Sequence, residues 1–325
     1  MVRFSAHNTI DFCKGIFQYS EDIDMDQKKV TKTKGILYVL FAAALWGTMG
    51  VFVRYLNAAG LASLEITQVR ITVGFCCIGT YLLLFRRDLL KIRWKDLWCF
   101  LGTGIVSLLL FSTCYFRSME YVSLSTAAIL LYTAPIFVML MSLVLFKERL
   151  TMAKTAALAL SFIGCILVSG IGNAQVSAPI GILLAIASGF FYALYSIFSR
   201  FAIQRGYGAL TIVFYTFLFC AIGCAFLTDW STIARVVFVP DVRIVLLSVA
   251  LGVITGFLPY VFYSSGLEHM ESSRASILAS LEPVVGTLFG VFLFKEPITV
   301  PGVFGILLVL SAVAILSLPA KKEKE

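Results

Sequence analysis

The chain has 325 residues, 60% of them hydrophobic and 14% charged, with a mean hydropathy of +0.94. A soluble globular chain is about half apolar and about a quarter charged, so the composition excludes a soluble fold and calls for a polytopic membrane protein. The formal net charge of +8 does not point to nucleic acid, because the basic residues sit in short links between apolar spans, as orientation in a bilayer requires.

Residues 1–34 form a polar N-terminal tail with no long apolar run and no cleavage site, so no signal peptide is visible. Met25 opens MDQKKVTKTKG, which reads as a start of its own, and residues 1–24 are expected to be dispensable. Ten apolar spans follow: about Gly35–Val53, Ile66–Phe85, Leu97–Phe116, Ser125–Phe146, Ala153–Ile171, Ile180–Ser199, Ala209–Thr228, Ile244–Phe262, Ala275–Phe294 and Val300–Leu318. Each is close to the length of about 20 residues that crosses a bilayer as a helix. GNAQVSAP links spans 5 and 6, and residues 319–325 are a charged C-terminal tail.

The fourth span recurs. Ile129–Glu148 reads ILLYTAPIFVMLMSLVLFKE and Ile277–Glu296 reads ILASLEPVVGTLFGVFLFKE, at an offset of 148. Pro135 maps to Pro283, Phe146 to Phe294, Lys147 to Lys295, Tyr115 to Tyr263 and Glu120 to Glu268. The starts of the halves match at an offset of 146, with Gly35 on Gly181, Trp46 on Tyr192, Phe52 on Phe198 and Arg54 on Arg200. Residues 35–172 and 180–318 are thus two copies of one five-span unit. Five is odd, so the second copy enters the membrane from the opposite side, which gives an inverted-topology repeat. With both termini cytoplasmic, the inside segments hold 18 basic residues and the outside segments 5, a decisive bias.

Two five-span halves, each with a proline-broken fourth span closed by FKER or FKEP, resemble the drug/metabolite transporter superfamily and its ten-span EamA family. The motifs are LYTAP…FKERLT, SLEPV…FKEPIT and QVRITVG. The resemblance covers about Gly35 to Leu318 and implies an all-α integral membrane protein. It also implies a permease or exporter of the inner (plasma) membrane that moves a small metabolite, amino acid or drug through a central cavity. It calls for no cofactor and fits a monomer or a homodimer in the lipid bilayer.

The residues are then weighed singly. Each proline frees a carbonyl four residues back, at Leu131 and Ala279, and broken backbone at that depth is tolerated only against protein or a wet cavity. Two broken helices at matching places point to a transporter's binding site. Candidate substrate or coupling residues are therefore Glu282, Pro283, Pro135, Tyr132, Thr133 and Ser280 around the breaks, with Arg70, Gln68, Trp46, Tyr192, Tyr115 and Tyr263 nearby. Glu282 is the carboxylate set well inside a span. It must be protonated, paired or facing water, so it serves proton coupling, a cationic substrate group, or the broken backbone itself. Arg70 either snorkels to the interface or lines the cavity. Tyr132 and its counterpart Ser280 present different groups to one midplane site.

The recurring Lys–Glu pairs are expected to be structural, each glutamate opening the next helix at the favourable end of its dipole. Pro297 is expected in a first turn, Ser125 and Ser273 as caps, and Gly286 with Gly290 as a helix-packing pair. Only His7 and His269 are present, and seven of the eight cysteines lie in or beside spans without metal-ligand spacing. A channel or non-transporting scaffold remains an alternative, and a membrane enzyme finds no nucleophile or metal motif. No phosphate-binding loop is present, so ATP is not the driver.

Overall fold

The computed structural model describes residue 31 and residues 33–170, 178–237 and 241–318. The expectations for residues 1–24 and the charged tail 319–325 lie outside the described residues.

Among the described residues ten long helices build the molecule: α1 Thr33–Ala58, α2 Ser63–Phe85, α3 Trp94–Ser118, α4 Leu124–Phe146, α5 Met152–Ser169, α6 Pro179–Gln204, α7 Ala209–Ala225, α8 Val242–His269, α9 Ser272–Phe294 and α10 Val300–Ser317. All but α7 reach 18 residues and are apolar enough to span a bilayer alone. α7 ends before its predicted limit at Thr228, and the chain turns by 107° into a short helix, Trp230–Val237. Asp229 makes the turn, its carboxylate accepting from the Ser231 amide and hydroxyl and the Thr232 hydroxyl at 3.0, 2.7 and 2.7 Å. Those bonds hold the exposed Asp229 carboxyl low, at about 2.

The repeat is visible in backbone detail. α4 breaks between Leu131 and Ala134, and α9 between Ala279 and Glu282. Pro135 and Pro283 sit in the first turn of the resumed helix, where a missing N–H costs nothing. Both helices end in a left-handed lysine, Lys147 and Lys295, each at φ 54°. The next amide then returns to the chain, Glu148 N to Ser142 O and Glu296 N to Gly290 O, both at 3.2 Å. FKE is therefore a helix stop.

Three expectations are corrected here. Glu148 and Glu296 do not open α5 and α10. Those helices are capped by Thr151 and Thr299, whose hydroxyls accept from Lys154 N at 3.3 Å and Gly302 N at 3.1 Å. Pro297 lies in the link, and Pro301 takes the first-turn position. Ser123, not Ser125, caps α4 by accepting from Thr126 N, and Ser273 falls inside the first turn of α9, after Glu271. In each case the cap lies where the chain is still extended, which sequence spacing alone does not fix.

A feature with no sequence signal is a π-helical stretch in both halves, Gly102–Leu109 in α3 and Leu251–Phe257 in α8. The extra residue per turn re-aims side chains, and it lets helices touch at a glycine. A Cβ on Gly104 would lie 2.8 Å from Thr216 O of α7, and one on Gly252 would lie 2.3 Å from Val73 Cβ and 3.2 Å from Arg70 O of α2. Thr216 and Arg70 are equivalent residues, so the same crossing is built twice. α5 and α10 pack on each other through Gly164 and Gly305, where a Cβ would meet the facing carbonyl at 2.8 and 2.7 Å, close approach being the main source of helix affinity in lipid.

The links α2–α3, α4–α5, α6–α7 and α8–α9 emerge at one end, the basic end. The links α1–α2, α3–α4, α7–α8 and α9–α10 emerge at the far end. At the basic end Asp96 ties the α2–α3 and α6–α7 links together, accepting from Arg93 at 2.8 Å, Arg205 at 3.1 Å and Tyr207 Oη at 2.8 Å.

Candidate functional site

Between the halves lies a narrow pocket lined by residues of α1, α3, α4, α6, α8 and α9. Its walls are aromatic, with scattered hydroxyls: Trp46, Phe111, Tyr192, Tyr195, Tyr260 and Tyr263, with Ser107, Ser196 and Ser276 between them. Trp46 meets Tyr260 edge-on at 5.3 Å and Tyr263 at 5.4 Å, and Tyr260 meets Tyr195 edge-on at 5.2 Å. Two hydroxyl pairs lock the box across α6 and α8, Tyr195–Ser264 at 2.7 Å and Ser196–Tyr263 at 2.8 Å. Buried phenols need such partners.

Of the residues expected at the site, Trp46, Pro135, Tyr192 and Tyr263 line this space directly. Tyr115 joins it through Phe111, at 6.0 Å between rings, and Phe111 meets Tyr192 at 5.1 Å. Tyr132 packs instead toward α5, α9 and α10, against Cys165, Val284 and Val309. Thr133 is spent on the break: its hydroxyl donates to Leu130 O at 2.6 Å and fills the space left by Gly189. Ser280 is buried, and its carbonyl faces the Cys165 thiol at 4.0 Å. Gly286 and Gly290, expected to pack against a helix, face an open cleft at the far end beside α1. Gly286 lies near Gly47 O, and Gly290 makes room for the Glu296 carboxylate.

Two ionisable side chains lie near the aromatic box without lining it. Glu282 is partly buried at the α9 break and is not one of the residues that line this space. Among the described residues nothing donates a hydrogen bond or an ion pair to it. Arg70 is 6% exposed, so it does not snorkel. Its Nη1 lies 2.7 Å from Met49 Sδ, and its Nε has no partner. Arg70 lies within electrostatic reach of Glu282, and both act on Tyr192 and Tyr260. Gln68 donates to Thr72 Oγ1 at 2.9 Å and leaves its own Oε1 unpartnered. In the other half the equivalents of Arg70 and Glu282 are Thr216 and Ala134. Thr216 is fully satisfied, 2.6 Å from the Thr103 hydroxyl and 2.7 Å from Ile212 O. The ionisable pair therefore has no counterpart at the equivalent positions of the other half.

Sequence reasoning missed Tyr260, Phe111 and Ser196. Tyr260 was within reach of it, since three residues before Tyr263 is the same helix face. No spacing rule announces the other two.

The cluster at the basic end was also missed. Glu148, 9% exposed, reaches across to the other half, accepting from Ser272 N at 2.9 Å, Ser273 N at 3.3 Å and the Ser273 hydroxyl. Arg200 donates to Ser272 Oγ at 3.1 Å and to Met270 O. Lys154, 7% exposed, binds Glu271 at 2.6 Å and lies 3.7 Å from Glu148.

A family model described as the EamA-like transporter family matches residues 33–170 and again 179–318. An uncharacterized transporter of Archaeoglobus fulgidus is 30% identical over 277 residues, 85% of this chain and 94% of its own. The uncharacterized inner membrane transporter YicL of Salmonella typhimurium is 26% identical, covering 89% and 97%. A solved crystal structure superposes with a TM-score of 0.69 at 21% identity over 86% of this chain and 95% of that one, a likeness of fold. With two matched copies spanning the described residues and full-length transporter relatives, the chain belongs to the EamA-like transporter family and is a multi-pass membrane protein of ten helices in two inverted five-helix repeats.

Proposed function

We propose that the protein is a secondary transporter that moves a small metabolite, amino acid or drug-like molecule across the plasma membrane by alternating access, with the basic end and both termini cytoplasmic. The observation that carries this reading is the pair Arg70 and Glu282: two ionisable side chains inside spans, within electrostatic reach of each other and of Tyr192 and Tyr260 in the pocket, with no ion pair between them. A buried charge in a membrane protein is costly and marks a substrate or ion path. A substrate with an anionic and a cationic group would satisfy both, and its apolar part would stack on Tyr192, Tyr260 and Trp46.

Protons are the coupling ion of this reading. Glu282 stands at the α9 break and is partly accessible, where a carboxylate can exchange a proton with whichever side is open. The inverted halves favour a carrier over a static pore, since they give the protein two equivalent closures. In proteoliposomes a carrier saturates and shows counterflow, whereas a channel does not. Glu282→Gln keeps shape and hydrogen bonding but removes titration. Loss of proton-driven transport with survival of substrate exchange supports the coupling role, and wild-type transport across pH removes it. A reporter active only outside the cytoplasm should be silent when fused after Glu325.

A further inference from the structure

The two ends of the molecule carry the same gate parts in different arrangements. At the basic end the first segment of α9, Ser272–Ala279, packs on the second segment of α4, Ala134–Phe146. At the far end the equivalent segments, Leu124–Leu131 of α4 and Glu282–Phe294 of α9, have no comparable packing. The basic end is closed and the far end is parted.

The side chains follow. Glu148 and Arg200 do not bind each other. Each clasps the α8–α9 turn, Glu148 on the amides of Ser272 and Ser273 and Arg200 on Met270 O and Ser272 Oγ. Their equivalents, Glu296 and Arg54, bind each other at 2.5 Å, at 48% and 53% exposure, with Arg54 also over the Phe294 ring at 4.1 Å. The turn they would clasp is Val122–Ser125, which maps onto Met270–Ser273. It is already seated in the same way: Gly181 of α6 lies against Tyr121 and Val122 as Gly35 of α1 lies against His269 and Met270. What differs is the clasp.

Resting on the alternating-access reading above, we propose that Arg54–Glu296 is the far-end gate in its released form. When the far end closes, this pair parts. Glu296 then accepts from the amides of Leu124 and Ser125, and Arg54 donates to the Val122 carbonyl. In the same transition Glu148 and Arg200 let go of Met270–Ser273 and pair with each other. The two gates exchange partners, so the number of charged groups left unpaired stays constant through the cycle. The basic gate carries one addition, the Lys154–Glu271 pair, whose equivalents are Gly302 and Ser123. This addition holds the resting protein closed at the basic end.

The test is amide hydrogen exchange on the purified full chain, followed by mass spectrometry. Glu148→Gln weakens the basic clasp, and it should raise deuterium uptake in peptides covering residues 268–276 while lowering it in those covering 119–127. The double variant Glu148→Gln with Glu296→Gln should keep the rise and abolish the fall. If the fall persists in the double variant, the halves alternate but Glu296 is not the latch, and the proposal is overturned while alternating access stands. If Glu148→Gln raises uptake at the basic end with no fall at the far end, the ends are independent and both readings fail. Should Glu148→Gln not fold, Glu296→Gln alone decides, since both members of that pair are exposed and the fold does not rest on them. It should leave exchange at residues 268–276 protected and slow counterflow several-fold, and wild-type counterflow overturns the latch.

Discussion

The two proline breaks have the same backbone and opposite chemistry. At the α4 break the resumed helix begins with Ala134, 2% exposed and packed with Val138, Ala193 and Ile197. At the α9 break the same place is Glu282, a partly accessible carboxylate that accepts no hydrogen bond among the described residues. The first break is closed by its own Thr133 hydroxyl. The second carries Leu281 there and leans on a neighbouring helix through Cys165. Duplication thus supplied a scaffold with two bendable helices, and divergence placed the titratable group on one of them.

The largest effect is expected from moving that group. Ala134→Glu puts a carboxylate at a buried position packed with Val138, Ala193 and Ile197, which costs several kcal/mol. The variant should accumulate poorly and melt well below wild type. Wild-type melting would show that the two breaks are interchangeable and would dissolve the comparison.

The next concerns the basic gate. Lys154→Met leaves Glu148 and Glu271 without their cation. Breaking a buried pair costs about 3–5 kcal/mol, and the half exposure of Glu271 puts this case at or below the lower figure. Melting should fall, and alkylation of a cysteine placed at Ser276, on the cavity wall, should speed up from the basic end. An unchanged alkylation rate would mean that Lys154 holds the loop and not the gate.

The paired glycines sharpen the contrast between halves. Gly104→Val and Gly252→Val each force a crossing that has no room for a Cβ, at about 1–3 kcal/mol. Both should lower the melting temperature similarly. Only Gly252→Val pushes on the backbone of Arg70, so its transport per folded molecule should fall further, by about tenfold, equivalent to about 1.4 kcal/mol. Equal transport losses would argue against a role for Arg70.

The smallest stability effect belongs to the far gate. Arg54→Gln removes an exposed ion pair worth about 0.2–1 kcal/mol, so melting should barely move. Any loss of transport then reports gating, read as slower counterflow at unchanged substrate affinity.

Much of this was legible in the chain. The 148-residue offset, the two prolines and the FKE ends fix ten spans and the inverted repeat, because span length and broken hydrogen bonds are local properties. The reason to single out Glu282 is local as well, since a carboxylate inside a span is costly wherever it points. What the sequence could not place is partnership. It assigned Glu148 and Glu296 to the helices that follow them, by the local logic of helix dipoles, whereas in the tertiary structure Glu148 caps a helix 124 residues away in the other half and Glu296 pairs with Arg54, 242 residues away. Thr133 and Tyr132 flank Pro135 in sequence but face α6 and α5, because the break turns the chain before them. The π-helical stretches, which set the depth at which Arg70 and Thr216 meet their glycines, leave no trace in residue type. Helices and their breaks are decided by neighbours in sequence. Which charge meets which amide, and which end is shut, is decided by how two inverted copies pack, and that packing exists only once both halves are in place.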